Sequence, residues 1–93
     1  MNNKRLKMAR KEIDKLDNKI FDLIKKRTKI VKHMLTLKRF KHQIIDHKRI
    51  NEIIKSIRNK SIRNKIDPKL TTQIWKSMIW SYVNYQKRNF KKK

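Results

Sequence analysis

The residues that could do chemistry here are polar side chains standing where a hydrophobic pattern calls for apolar ones. Arg27 fills the slot between Leu23 and Ile30 in an otherwise apolar row. Lys38 follows eleven residues later, about three helical turns, which keeps it within roughly 20° of the same face. Arg10 precedes Arg27 by 17 residues, about 100° around a helix, so it is expected to meet a different neighbour. Arg49 borders the row Ile50, Ile53, Ile57, and Gln86 extends the row Trp75, Met78, Ile79, Tyr82. A buried cation without a counter-charge is costly. The chain has seven acidic residues against 29 basic ones, and Glu12, Asp14, Asp17 and Asp22 cluster on the first segment. Two readings follow. The cations snorkel past short neighbours to water, or they line a pocket between helices that takes an anionic ligand.

The composition removes many alternatives. There is no cysteine, so disulfides, thiolate metal sites and sulfur redox chemistry are excluded. There is no glycine, which excludes glycine-rich phosphate loops and dinucleotide fingerprints and disfavours hairpin-rich folds. His33, His42 and His47 match no ligand spacing, so a solvated or supporting role is expected over a metal. Trp75 and Trp80 lie on different helix faces; Trp75 is expected in the core and Trp80 against a neighbouring helix or chain.

The formal net charge of +22 attracts polyanions, and it also follows from a composition rich in Lys, Asn and Ile, residues of A/T-rich codons. Either way a positive surface draws an anionic substrate. Nucleic-acid binding is supported by this charge and by the basic tail Lys87–Lys93. It is disfavoured because the basic residues are spread along the chain and no helix-turn-helix pattern occurs. Uninterrupted apolar stretches reach only two or three residues, against the roughly 20 a bilayer demands. No membrane role and a cytoplasmic location are expected.

The elements that must position these residues read as all-α, in one 93-residue domain. A first segment from Lys4 to Phe40 has no Pro and no Gly. It carries Ile13, Leu16, Ile20, Leu23, Ile30, Met34 and Leu37 at alternating three-four spacing. As one helix it would be about 55 Å long, too long for a 93-residue globule to cover, so a second copy of the chain is the simplest cover. A break near Lys41–Ile45 precedes a second helix starting at Asp46, a candidate cap, with Ile50, Ile53, Ile54 and Ile57 inward. The direct repeat of Ser-Ile-Arg-Asn-Lys at 56–60 and 61–65 reads as a helix end running into a basic connector. Asp67 caps a third helix with Pro68 in its first turn, and residues 87–93 are expected to fray.

With these residues in place, the chain resembles the all-helical chorismate mutases, a family that includes the isochorismate–pyruvate lyases. The segment Arg10-Lys11-Glu12-Ile13-Asp14-Lys15-Leu16-Asp17 is similar to the family's opening, and Leu23-Ile24-Lys25-Lys26-Arg27 to its Leu-rich turns ending in arginine. Lys38 matches the family's ligand-contacting lysine. Asp46-His47-Lys48-Arg49 resembles its Asp-x-x-Arg, and Gln86, one turn after Tyr82, matches its glutamine. The resemblance spans roughly residues 6 to 90. It implies three helices with a long first helix in an intertwined homodimer, and two equivalent pockets, with Arg10 supplied by the partner chain. It also implies an isomerase that turns chorismate into prephenate for aromatic amino-acid synthesis, with no metal and no cofactor.

In that frame Arg10 and Arg27 hold the substrate's carboxylates, since arginine clamps carboxylates through paired N–H groups. Lys38 bridges a carboxylate and the ether oxygen, and Gln86 donates to that oxygen. Arg49 anchors the ring side, Tyr82 lines the pocket, and Asp46 meets a hydroxyl. One position departs from the pattern: Ile50 stands where many mutases carry a glutamate. The lyases are also apolar there, so isochorismate cleavage to salicylate and pyruvate is the alternative reading. A basic nucleic-acid-binding protein is a more distant one.

Overall fold

The computed structural model describes residues 2–91. It contains α1 (Asn2–Thr36), α2 (His47–Arg63) and α3 (Pro68–Asn89), with a 3-10 turn at Lys41–Ile44 between the first two. No strand occurs among the described residues. The all-α reading with a long first helix therefore holds. The chain divides into two units, Met1–His33 and Met34–Lys93.

The first unit is most of α1 and nothing else. Its length follows from the absence of any helix breaker. The row that the spacing marks as inward, Ile13, Leu16, Ile20, Leu23 and Ile30, is exposed, Leu23 at 63%. No second element exists within the unit to cover it. The half-buried positions are Ile24, Arg27 and Thr28, and Val31 is buried. These lie on a neighbouring row, roughly 90° around the helix. The apolar row legible in the sequence is thus not the one this chain buries on its own. Arg27 sits at the border between the two rows.

The second unit starts within the last turn of α1. That helix stops at Thr36, short of the expected Phe40, because the backbone tightens: Leu37 N donates to Met34 O (3.0 Å) and Lys38 N to Leu35 O (3.2 Å). Lys38 therefore lies past the helix end and not on its face. α2 begins where expected, with Asp46 Oδ1 accepting from Arg49 N at 3.0 Å. Its end is later than expected. The helix continues through the direct repeat to Arg63, since Ser61 extends the row Ile50, Ile54, Ile57 by one turn and is buried. Ser61 Oγ lies 2.6 Å from Thr71 Oγ1 and 2.7 Å from Ile57 O, which ties α2 to α3.

The α2 terminus closes with two bonds, Ile66 N to Ser61 O (2.9 Å) and Lys65 N to Ile62 O (3.2 Å). Lys65 stands at φ 56°, the position glycine usually takes. α3 starts as expected at Pro68, with Asp67 Oδ1 accepting from Lys69 N at 2.9 Å. It runs to Asn89, so the tail is helical where fraying was expected; the side chain of Phe90 explains this by packing against the core. Lys92 and Lys93 lie outside the described residues. The core is Leu35, Ile44 and Val83, with Ile45 and Phe90 against it. α3 presents Ile79, Val83 and Gln86 to the interior at i, i+4 and i+7.

Lys65 is the one non-glycine residue at positive φ among those described. Lys65→Gly is expected to raise stability by about 0.5–1 kcal/mol, because the left-handed conformation costs a side-chain-bearing residue about 1–2 kcal/mol and glycine's extra unfolded-state freedom returns part of it. Urea unfolding followed by circular dichroism measures this.

Candidate active site

The site grows from the core of the second unit. Val83 is 3% exposed and anchors α3 against Leu35 and Ile44. One turn on, Gln86 falls on the same inward row and is 8% exposed, a buried amide that needs partners. It has them. Lys38 Nζ donates to Gln86 Oε1 at 2.7 Å, and Gln86 Nε2 donates to the Tyr82 carbonyl at 3.3 Å. Forty-eight residues of chain separate Lys38 from Gln86. The contact exists because Leu35, just before Lys38, and Ile44, just after it, are both seated in the core beside Val83.

The electrostatics of the pair are set by burial and by Asp46. Burial holds the Lys38 ammonium below the ordinary lysine value of 10.5, and the Asp46 carboxylate offsets this only in part. The bond to Gln86 is short, as charge-assisted bonds are. The amide oxygen carries no net charge, and the acidic group that acts on the cation is Asp46. Lys38 uses one of its three N–H groups on Gln86, and Gln86 uses one of its two on Tyr82.

The other expected residues fall as follows. Asp46 joins Lys38 electrostatically and fixes the first turn of α2 through the Arg49 backbone. Arg49 points an exposed guanidinium at Glu52, Nη1 to Oε2 3.8 Å. Such an exposed pair adds little stability and leaves Arg49 able to turn to a ligand. Tyr82 is half-buried, its ring edge-on to Tyr85 with centroids 6.4 Å apart. Arg27 and Arg10 belong to the first unit, Arg27 half-buried and Arg10 exposed. Trp75 is half-buried and Trp80 is 42% exposed.

A cleft of about 480 Å³ near the α2–α3 turn is lined by residues including Ser61, Thr71 and Trp75 and holds none of the expected site residues. Among the described residues no cluster of three His, Asp or Glu could hold a metal, and no helix is long and apolar enough to cross a membrane.

Sequence reasoning missed Gln43. Its Oε1 accepts from Arg39 N at 2.8 Å and from Phe40 N at 2.9 Å, immediately after Lys38. A glutamine three residues after a helix-starting position is a capping signal, which the segment displays without the usual Ser or Thr ahead of it. Ser61 was missed too, although it continues the α2 row.

The family model of chorismate mutase type II matches residues 9–87. No curated protein and no solved structure matches the chain. The matched segment runs from just before Arg10 to just after Gln86 and takes in the Lys38–Gln86 contact, and the chain accordingly belongs to the chorismate mutase type II family and is a chorismate mutase, an isomerase.

Proposed function

We propose that chorismate binds with a carboxylate and its ether oxygen at the Lys38–Gln86 pair, in one of two pockets that a cytoplasmic homodimer shares. The observation that carries this reading is the part-buried contact of the Lys38 ammonium with the buried Gln86 amide at 2.7 Å, with donors to spare. In the rearrangement the ether C–O bond breaks as a C–C bond forms within one molecule. No proton moves and no nucleophile attacks. The protein has to select a compact conformer and stabilise charge building on the departing ether oxygen. Two unused N–H groups on Lys38 and one on Gln86 suit that oxygen and an adjacent carboxylate. Arg27 and Arg10 supply paired N–H groups for the carboxylates, Arg49 turns from Glu52 to the ring side, and Asp46 and Tyr82 complete the wall.

Support for a second copy comes from α1. Ile13, Leu16, Ile20, Leu23 and Ile30 are exposed along a helix whose own unit offers no cover. Their three-four spacing is that of a helix-pairing seam. A partner helix laid along this row buries it. Arg10, about 100° from Arg27 around α1, then reaches the partner's pocket while Arg27 serves its own.

Four outcomes are expected. With chorismate as sole substrate, NMR shows prephenate, turnover is unchanged by a chelator, and Lys38→Ala lowers kcat/KM at least about 100-fold, the scale of losing one preorganised donor to developing charge. Salicylate and pyruvate from isochorismate, with chorismate untouched, would overturn the substrate assignment. Mixing separately inactive Arg10→Ala and Gln86→Ala chains restores part of the activity, because one site in each mixed dimer is intact; no recovery despite exchange shown by mass spectrometry refutes sharing.

The pH dependence follows from Lys38. In the free enzyme its charge is lost at a pH below 10.5 because burial depresses its pKa. A bound carboxylate raises that pKa again. The alkaline fall of kcat/KM, which reports the free enzyme, is therefore expected at lower pH than the fall of kcat, which reports the complex. Coincident limbs would contradict a carboxylate at Lys38.

A further inference from the structure

The geometry points to Gln43 as the residue that positions Lys38 for catalysis, acting as a clamp on the backbone arc that carries the ammonium. This rests on the Lys38 role proposed above. Leu35 and Ile44 are both seated in the core, Ile44 at 4% exposure, and the arc between them carries Lys38. The arc leaves helical geometry at Thr36, so beyond Lys38 the backbone N–H groups of Arg39 and Phe40 have no helical acceptor. One atom takes both of them. Gln43 Oε1 accepts from Arg39 N at 2.8 Å and Phe40 N at 2.9 Å, while Gln43 N donates back to the Phe40 carbonyl at 3.1 Å. The Phe40 peptide is thereby held from both ends. The Phe40 ring also stacks on His42, centroids 5.6 Å apart, which braces the same arc.

Two features separate a positioning role from a merely structural one. First, Arg39, Phe40 and Gln43 are all exposed. If the acceptor is removed, water satisfies the two N–H groups, and the fold survives on Leu35, Ile44, Val83 and Phe90. Secondly, the bonds to Gln43 are the ones that fix the Arg39 and Phe40 N–H groups next to Lys38. Lys38 is flexible in its own side chain, and its ammonium meets Gln86 at 2.7 Å only while the backbone at 38–40 stays where it is. A displacement of about 1 Å is enough to cost a large factor in rate when the group acts on developing charge. Freed of its clamp, the arc samples positions from which Lys38 no longer meets Gln86, and substrate must then select the productive one.

The test uses the full-length chain with chorismate. Gln43→Ala is expected to lower kcat about ten- to hundredfold, with a smaller change in KM and a melting temperature close to the parent's. Gln43→Glu keeps an acceptor oxygen at the same reach and is expected to recover activity to within a few-fold. Gln43→Met keeps length and bulk but has no strong acceptor, so it should behave like Gln43→Ala; it stands in if the alanine variant unfolds. The alkaline limb of kcat/KM should also move toward the ordinary lysine value in Gln43→Ala and Gln43→Met, because a loosened arc lets the ammonium reach water, and it should stay in place in Gln43→Glu. Lys38→Ala, measured alongside, separates the two ideas. If it retains near-parental activity, the Lys38 reading fails. If it is inactive while Gln43→Ala and Gln43→Met stay within threefold of the parent, the clamp is refuted. A glutamate variant as impaired as the methionine one refutes it as well.

Discussion

A half-buried ammonium hydrogen-bonded to a buried neutral amide is the constraint around which this molecule is arranged. Lys38 gives one hydrogen bond to Gln86 and sits near Asp46, and burial still depresses its pKa. As a stabilising device this is poor. The hydrogen bond to a charged donor is worth about 1.5–3 kcal/mol, and the desolvation of a cation consumes much of that. The arrangement makes physical sense when an anion completes it. In the proposed reading a carboxylate guest would bring the missing charge to an amide already oriented by the Tyr82 carbonyl.

Everything around the pair works to fix two points of chain that are far apart in sequence. The small core of Leu35, Ile44 and Val83 brings the end of α1 to the end of α3. Asp46 does two tasks with one carboxylate: it caps α2, which sets the direction of Arg49, and it tempers the field at Lys38. At the opposite end of the hairpin, the hydroxyls of Ser61 and Thr71 and the closed turn at Lys65 hold α2 to α3. None of these features is specific to one ligand. They set the relative position of two helices, and the chemistry rides on their ends.

What could be read from the sequence was local chemistry. Asp46, and Asp67 followed by Pro68, mark helix starts because a cap is satisfied within three residues and needs no tertiary context. Gln86 was legible because it continues an apolar row at i+4 from Tyr82. Features set by competition between distant parts were not. The end of α1 carries no Gly and no Pro; the backbone tightens at Leu37 and Lys38 and Gln43 takes up the next two N–H groups, which leaves Lys38 off the face on which simple periodicity put it. The repeat at 56–65 looked like a connector because its period suits no element, yet Ser61 is drawn inward by Thr71. In α1 two adjacent rows compete. The longer one, Ile13 to Leu37, dominates the pattern, while this chain buries the row that includes Val31 and Leu35. Periodicity reports that a helix has an apolar face, but not which chain covers it.

The charge has consequences that the fold class does not reveal. With +22 on 93 residues, any two copies of the chain repel one another. The same charge favours the encounter with a dianion. Salt therefore acts on the two steps in opposite senses. It screens the repulsion between copies, and it weakens the attraction that brings substrate to the pocket over distances beyond about 10 Å. Close to Lys38 and Gln86 the screening is weaker, because those groups are partly or wholly removed from water. The long-range attraction of an anionic substrate is thus governed by the diffuse field, which salt screens.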